Sequence, residues 1–220
     1  MIAVTFALPA ESSDFARRLP KLQNKGIQVF HTGVGADACR ARLPNFLREA
    51  TWELVISAGF AGGMRDDLRV GDLFLAENFS DPRLLALARQ SLANRTPRVA
   101  RLFTSSKVIN SAAERASLAQ TTDAAAVDME TEVIAKECKA RGIPFLSLRV
   151  ISDTPSQPLP AAPEVLFNME RQQTELAKLA LHLLRNPAAV PRLLLFARRV
   201  GKARARLADA LIAVLQSDNL

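Results

Sequence analysis

Short runs rich in branched and aromatic residues recur along the chain, and several are separated by segments with helical spacing. "IAVTFAL", "IQVFHT", "ELVISAG", "DLFLAE", "VARLFTSS" and "FLSLRVIS" have the composition and length of strands. Helix-like stretches lie between several of them, such as 36–50 after "GVG" and 130–141, the latter ended by Gly142 and Pro144. This alternation predicts an α/β sandwich around a largely parallel or mixed sheet. In such sheets ligands collect beyond the carboxyl ends of the strands. Arg149 and Asp153 lie at one of those ends, where "FLSLRVISDTPSQPLP" turns from apolar run to proline-rich loop.

With 220 residues, 49% of them hydrophobic, the chain buries a real core as one domain or as a domain with an appendage. Its formal charge of +7 is uneven. From Arg185 to Leu220 there are seven basic residues against Asp209 and Asp218, so +5 of the +7 sits in the tail and the body is nearly neutral. A nucleic-acid partner is not expected of such a body. "LRNPAAVP" (184–191) has the look of a linker, dividing an expected catalytic domain, 1–184, from a basic helical extension, 185–220. In that extension Phe196, Val200, Ala203, Leu207, Ala210 and Val214 form one apolar stripe, with most of the basic residues off it. Cys39 and Cys138 are far apart and form no metal-binding or disulfide pattern, which suits a reducing cytoplasm. No basic leader opens the chain, and no apolar stretch approaches the ~20 residues that span a bilayer.

Three segments carry candidate chemistry. "GVGADA" (33–38) follows a strand and opens a helix, formally a dinucleotide fingerprint. The acidic residue expected about 20 positions on should end a strand, yet Glu53 precedes one. Gly33 and Gly35 therefore read as a tight turn whose N–H groups could meet an anion or a ribose. "SAGFAGGM" (57–64) directly follows a strand; its small residues Ala58, Gly59, Ala61 and Gly62 suit either a plain loop or close approach to a flat ligand. In "VDMETEVIAKECKARGIP" (127–144), Asp128 and Glu130 stand at the start of a helix whose Val133, Ile134, Ala135 and Cys138 face inward. Carboxylates there serve as ordinary helix caps or accept both hydroxyls of a ribose. The chain has no G-x-S-x-G elbow. His31 and His182 lack metal-ligand spacing, and no metal site is expected.

"SAGFAGGM…VGDLF", "VDMET" and "PFLSLRVISD", in this order, resemble the nucleoside phosphorylase and nucleosidase superfamily, from the first strand to about residue 183. The resemblance implies a three-layer sandwich around a mixed, mostly parallel sheet. It implies cleavage of the N-glycosidic bond of a purine nucleoside, with adenine as the expected base. It also implies roles. Asp153 matches the acid that protonates or hydrogen-bonds the purine N7, and Glu130 matches the ribose-binding glutamate, with Met129 beneath the sugar. Glu11 matches the glutamate that orients the attacking water, and Arg149 the arginine that helps hold that network. Val108 and Ile109, with Ala58, Gly59, Phe60 and Asp128, fall in the base pocket. An acid working at neutral pH needs burial or a nearby carboxylate to raise its pKa, and direct contact between Arg149 and Asp153 would oppose that. Arg149 is therefore expected to serve the nucleophile end or to pair with Glu11.

Two departures mark this chain. Phe60 replaces a small hydroxyl residue usual in the nucleosidases, and the stretch from Glu77 to Phe103 is short, which opens the 5′ side of the substrate. "ISDTPSQPLP" followed by a basic helix is also similar to the hopanoid-associated branch, whose substrate is an adenosine carried on a lipid. That resemblance gives the tail a purpose as a peripheral contact, through 192–215, on the inner face of a membrane. The other reading packs its stripe on the domain or a partner. The resemblance further implies a homodimer, no cofactor, and inorganic phosphate as co-substrate if the reaction is phosphorolysis. Glu11 and the missing G-D-P-x-R phosphate loop favour water, although Arg40, Arg42 and Arg65 could still build a phosphate site. A purine-binding protein without turnover is the remaining alternative.

Overall fold

The apolar runs fold as strands because their branched side chains suit a pleated surface covered on both faces. A computed structural model describes residues 1–22, 26–161, 186–187 and 189–217. Its strands are β1 (Ile2–Phe6), β2 (Ile27–His31), β3 (Leu54–Gly63), β4 (Leu73–Ala76), β5 (Arg98–Ala100), β6 (Leu102–Thr104), β7 (Ala126–Asp128) and β8 (Phe145–Asp153). The described helices are α1 (Pro9–Arg18), α2 (Ala36–Arg48), α3 (Pro82–Ser91), α4 (Ala112–Thr122), α5 (Thr131–Ala140) and α6 (Ala189–Leu215). One sheet runs β2-β1-β3-β8-β4-β5, with β7 joined to the far end of β3 and β6 beyond it. Most neighbours are parallel; β4 on β8 and β7 on β3 are antiparallel. This is the three-layer α/β sandwich with a mixed, mostly parallel sheet. Residues 184, 185 and 188 of the predicted linker, and His182, lie outside the described residues.

Each face of the sheet has its own apolar layer. Phe15 of α1, Leu84 and Ala88 of α3 and the carboxyl half of α6 cover one face, against Val4, Ile56, Leu146 and Leu148. Cys39, Leu43 and Phe46 of α2 and Ile134 and Cys138 of α5 cover the other, against Ala3, Val55 and Phe145. Both cysteines are buried free thiols. Local signals set the helix starts: Asp81 accepts hydrogen bonds from the amides of Arg83 and Leu84, with Pro82 following it, and Ser111 caps α4 by accepting from the Glu114 amide.

Two expectations about strands change. "SAGFAGGM" is no loop: β3 continues through Gly63 because β8 pairs along one edge and β7 takes up the other beyond β1. A shift in register between Ala61 and Gly62 sets Gly62 opposite Asp153, a bulge that re-aims the end of β8. "VARLFTSS", read as one strand, is two. It breaks at Arg101, so that β5 pairs with β4 while β6 pairs with β7.

The stripe on α6 is real, and its carboxyl half belongs to the main core: Ala203, Leu207, Ala210, Leu211 and Val214 are buried. Arg204 Nε donates to Asp14 Oδ2 at 2.7 Å and Arg18 pairs with Asp209, fastening α6 to α1. Burial alone would push the Asp14 carboxyl up, but hydrogen bonds and charge from Arg204 and Arg17 prevail and hold it below the usual range. Phe196 and Val200, nearer the amino end, are only half-buried. Because Leu211 is fully enclosed, Leu211→Ala should cost about 2–5 kcal/mol of stability, read as a lower urea midpoint at unchanged slope. A midpoint equal to that of the native chain would mean that α6 does not contribute to the folding unit.

Candidate active site

The carboxyl ends of β1, β3 and β8 and the start of α5 converge on one set of polar side chains. Arg149 of β8 is buried at 2% exposure, so its charge must be met inside. Its Nε donates to Asp128 Oδ2 at 3.0 Å, and its Nη2 donates to Ser57 Oγ and Thr131 Oγ1, each at 2.7 Å. Asp128 in turn accepts from Thr104 Oγ1 at 2.9 Å and from the Thr131 amide at 3.2 Å. The expected pairing of Arg149 with Glu11 is thus corrected: its carboxylate partner is Asp128, which ties β8 to the start of α5. Arg149 still faces Glu11, since a Cβ added at Gly59 would lie 3.2 Å from Glu11 Oε2 and 3.6 Å from Arg149 Nη1. Gly59 is small so that these two side chains can pass over the strand.

Glu11 stands in the first turn of α1, after Pro9, and its Oε2 accepts from the Ala7 amide at 3.2 Å. Glu130 precedes α5 without capping it. Its Oε1 reaches back to the Gly35 amide at 2.6 Å. The Gly33 amide is bound to the Ala7 carbonyl at 3.0 Å. Both glycine N–H groups are therefore engaged, and Gly33 and Gly35 hold the wall of the site rather than an open anion site. Burial pushes Glu11 up to about 7 against the opposing charge of Arg149 and the amides of Ala7 and Leu8. It pushes Glu130 up to about 8, aided by the charges of Asp128 and Glu11 and opposed by the Gly35 amide and Arg149. Two carboxyls that hold protons so tightly beside a cavity can exchange them near neutral pH.

Asp153 has a partner that the sequence reading missed. Arg115 of α4, buried at 2% exposure, forms an ion pair with Asp153 Oδ2. The guanidinium also donates from Nε to the Ile109 carbonyl at 2.8 Å and from Nη1 to the Gly63 carbonyl at 2.9 Å. Ser152 Oγ donates to the other carboxylate oxygen, Oδ1, at 2.5 Å. The sequence carries little sign of it, because α4 has alanines on several faces and Arg115 does not interrupt a clear apolar stripe.

These groups border a cavity of about 220 Å³, where Glu11, Asp128, Met129 and Glu130 meet Asp153, Ser152 and Arg115, with Phe60, Val108 and Ile109 as apolar wall. A smaller inner cavity of about 10 Å³ also borders Glu11, Phe60 and Glu130, and continues to Ala58, Gly59, Ser57 and Arg149. Most of the predicted residues come together around these two spaces; Ala58, Gly59 and Arg149 meet only the inner one, and Gly33 and Gly35 border neither. His31 exchanges a hydrogen bond with Ser12 Oγ at 2.8 Å, with its pKa lowered by burial, as a satisfied histidine at a strand end. Arg40 and Arg65 pair with Asp37 and Asp123 at the surface, away from both cavities. No group of side chains that could hold a metal occurs among the described residues.

The chain matches the family model of the Phosphorylase superfamily over residues 75–185. It is 30% identical over 164 residues to a 5′-methylthioadenosine/S-adenosylhomocysteine nucleosidase of Baumannia cicadellinicola, and 27% identical over 161 residues to one of Haemophilus influenzae. Each alignment spans 60% of this chain and 70% of the relative. Among solved structures, futalosine hydrolase of Helicobacter pylori superposes with a TM-score of 0.72 at 17% identity, covering 100% of this chain and 97% of the other. A Helicobacter pylori 5′-methylthioadenosine/S-adenosylhomocysteine nucleosidase bound to butyl-thio-DADMe-Immucillin-A superposes with 0.71 at 17% identity, covering 100% and 98%. At that identity the superpositions speak to the fold.

Proposed function

The chain belongs to the phosphorylase superfamily, and from that premise we propose that it is a nucleosidase, releasing the base of a purine nucleoside by adding water at C1′ of the ribose. The observation that carries the choice of water is the inner cavity beside Glu11 and Arg149. Its room of about 10 Å³ for the centre of a water molecule suits one water. Phe60, where relatives in the resemblance carry a small hydroxyl residue, is part of its wall. The surface pairing of Arg40 and Arg65 leaves neither beside the cavity to gather an anion.

In this reading Asp153 protonates or hydrogen-bonds N7 as the C1′–N9 bond breaks and its electron pair moves onto the purine. Glu130 holds the ribose hydroxyls, with Met129 beneath the sugar. Water forms the new C1′–O bond while Glu11 takes its proton, a task suited to a carboxyl with a pKa near 7. The named substrates of the nucleosidase relatives are adenosine derivatives, which supports adenine as the first base to test.

A lipid-linked 5′ substituent is the finer reading. It is favoured by the amino half of α6, where Val190, Leu194 and Leu195 are exposed beside Arg192, Arg198 and Lys202. A face of that kind can rest on an anionic bilayer, whereas Ala203–Leu215 is committed to the core. No described helix is long and apolar enough to cross a membrane.

The test is release of free adenine from adenosines with small and bulky apolar 5′ groups, with and without phosphate. Equal release in both buffers is expected, with the free 5-substituted ribose and not its 1-phosphate as the product. Strict dependence on phosphate would replace hydrolysis by phosphorolysis, and tight binding without release would leave a purine-binding protein. A preference for the bulky group would support the lipid reading.

A further inference from the structure

Strand β3 turns two different faces toward the site. Side chains alternate along a strand, so Val55, Ser57 and Gly59 share one face and Ala58 and Phe60 the other. Val55 packs in the layer of α2 and α5, and Phe60 against the opposite layer. Glu11 and Arg149 pass over Gly59, on the face of Ser57. The small hydroxyl residue expected at position 60 is missing, and the one hydroxyl that β3 brings to the inner cavity is that of Ser57.

Ser57 stands in a row of buried hydroxyls. The register sets Thr5 of β1 and Ser147 of β8 on either side of it, and none of the three is more than 1% exposed. Ser57 Oγ accepts from Arg149 Nη2 at 2.7 Å, which leaves its own proton to be donated. Neither neighbour in the row takes that proton: Thr5 Oγ1 has no hydrogen-bond partner, and Ser147 Oγ lies 3.4 Å from Thr131 Oγ1. Among the described residues, the bond from Arg149 is the only one that Ser57 Oγ makes. A buried hydroxyl of this kind calls for an acceptor, and a water in the cavity that Ser57 borders supplies it.

The same cavity adjoins the other groups that a nucleophilic water needs. Glu11 borders it as the proton acceptor and, with Ala7, Phe60 and Glu130, also borders the larger cavity proposed for the sugar. A water between them accepts from Ser57 with one lone pair, gives a proton to Glu11 and keeps its second lone pair for C1′. As that proton leaves, negative charge gathers on the oxygen and the bond from Ser57 strengthens. Ser57 thereby favours the transition state over the bound substrate.

We propose that Ser57 is a further catalytic residue, which donates to the single water of the inner cavity and selects water over larger nucleophiles. The proposal rests on the hydrolysis argued above and deepens it by naming the group that holds the nucleophile. In the step, the water oxygen bonds to C1′ and the C1′–N9 bond breaks with its electron pair going to the base. The proton of the water goes to Glu11, and that of Ser57 stays on Oγ.

The experiment measures kcat, KM and products for the best-cleaved of the adenosines above, in buffer and in buffer with methanol, an alcohol that would give the methyl riboside. The native protein should form the free sugar and almost no methyl riboside. Ser57→Ala should lower kcat by ~10–10²-fold with KM within ~3-fold, the range for losing one hydrogen bond to a group that gains charge. It should also raise the share of methyl riboside by ~10-fold, because the lost oxygen leaves room for the methyl group. Ser57→Thr, which keeps the hydroxyl, should recover most of the rate and the native product ratio. If Ser57→Ala does not fold, Ser57→Cys serves, since its thiol is a weak donor and kcat should fall in the same direction at unchanged KM. A kcat within ~3-fold of native in the variant that lacks or weakens the donor overturns the proposal and leaves Ser57 as a support for Arg149. A slower Ser57→Ala with the native product ratio overturns it too, because a displaced Arg149 would account for the rate alone. Methyl riboside formed by the native protein in proportion to the methanol added overturns the selection of water. Release that requires phosphate, or no release at all, removes the proposed hydrolysis and this proposal with it.

Discussion

Asp153→Asn is expected to lower kcat for base release by about 10³–10⁴-fold, the largest loss from any single change in the site. The purine leaves as an anion unless N7 receives a proton, and an amide has none to give. A second consequence follows from the packing. Arg115 is 2% exposed and its carboxylate partner is Asp153, so the variant leaves a buried guanidinium with only the carbonyls of Ile109 and Gly63 and a neutral amide. Removing one member of such a buried pair costs about 3–5 kcal/mol, so the melting temperature should fall with the rate. The two effects separate in the double variant Asp153→Asn with Arg115→Met. Taking away the orphaned charge should restore much of the stability, since replacing a buried pair by apolar groups is often neutral, yet the rate should stay low. Recovery of turnover along with stability would mean that Asp153 acts through the fold and not on the leaving base.

The layers of this fold were legible because the six longer apolar runs mark most of its strands; β7, only Ala126–Asp128, has no such run and was not foreseen. Nor was the length of β3. A cluster of glycines ordinarily ends a strand, and nothing local announces that Val127 and Ala126 of β7 will pair with Gly62 and Gly63 from so far along the chain. Nor did the sequence show that Gly59 and Gly62 also make space for the side chains of Glu11, Arg149, Arg115 and Asp153. Glu130, Asp128 and Asp153 were visible through their motifs, but their partners were not. The bond from Glu130 to Gly35 spans 95 positions and that from Arg115 to Asp153 spans 38. Such pairings depend on how distant elements meet, which sequence spacing does not encode. Arg115 stands on a helix with no clear apolar face, so its burial left no mark in the sequence.

Glu11→Gln is expected to lower kcat by about 10²–10⁴-fold and to change the shape of the pH profile as well. In the native protein the base form of Glu11 is needed, so kcat/KM should rise about tenfold per pH unit below 7 and level off above it. Glu130, lifted to about 8, shares its field, so the limb belongs to the two carboxyls together. The amide cannot titrate, so in the variant the limb should shrink to what Glu130 alone contributes. Stability supplies a check independent of catalysis. Glu11 and Glu130 hold protons more tightly folded than unfolded, so the stability they contribute is complete below about pH 4.5. It is lost as the pH rises through about 7 and 8. For Glu11 a rise from 4.5 to about 7 corresponds to at most about 3 kcal/mol, and less in practice because the carboxyl borders an open cavity. Urea midpoints at pH 5 and pH 9 should therefore lie closer together in Glu11→Gln than in the native chain, with the variant gaining at the alkaline end. A retained acid limb with an unchanged spread of midpoints would show that Glu11 is not the group that takes the proton from water, and would leave Glu130, the other raised carboxyl at the same cavity, to do so.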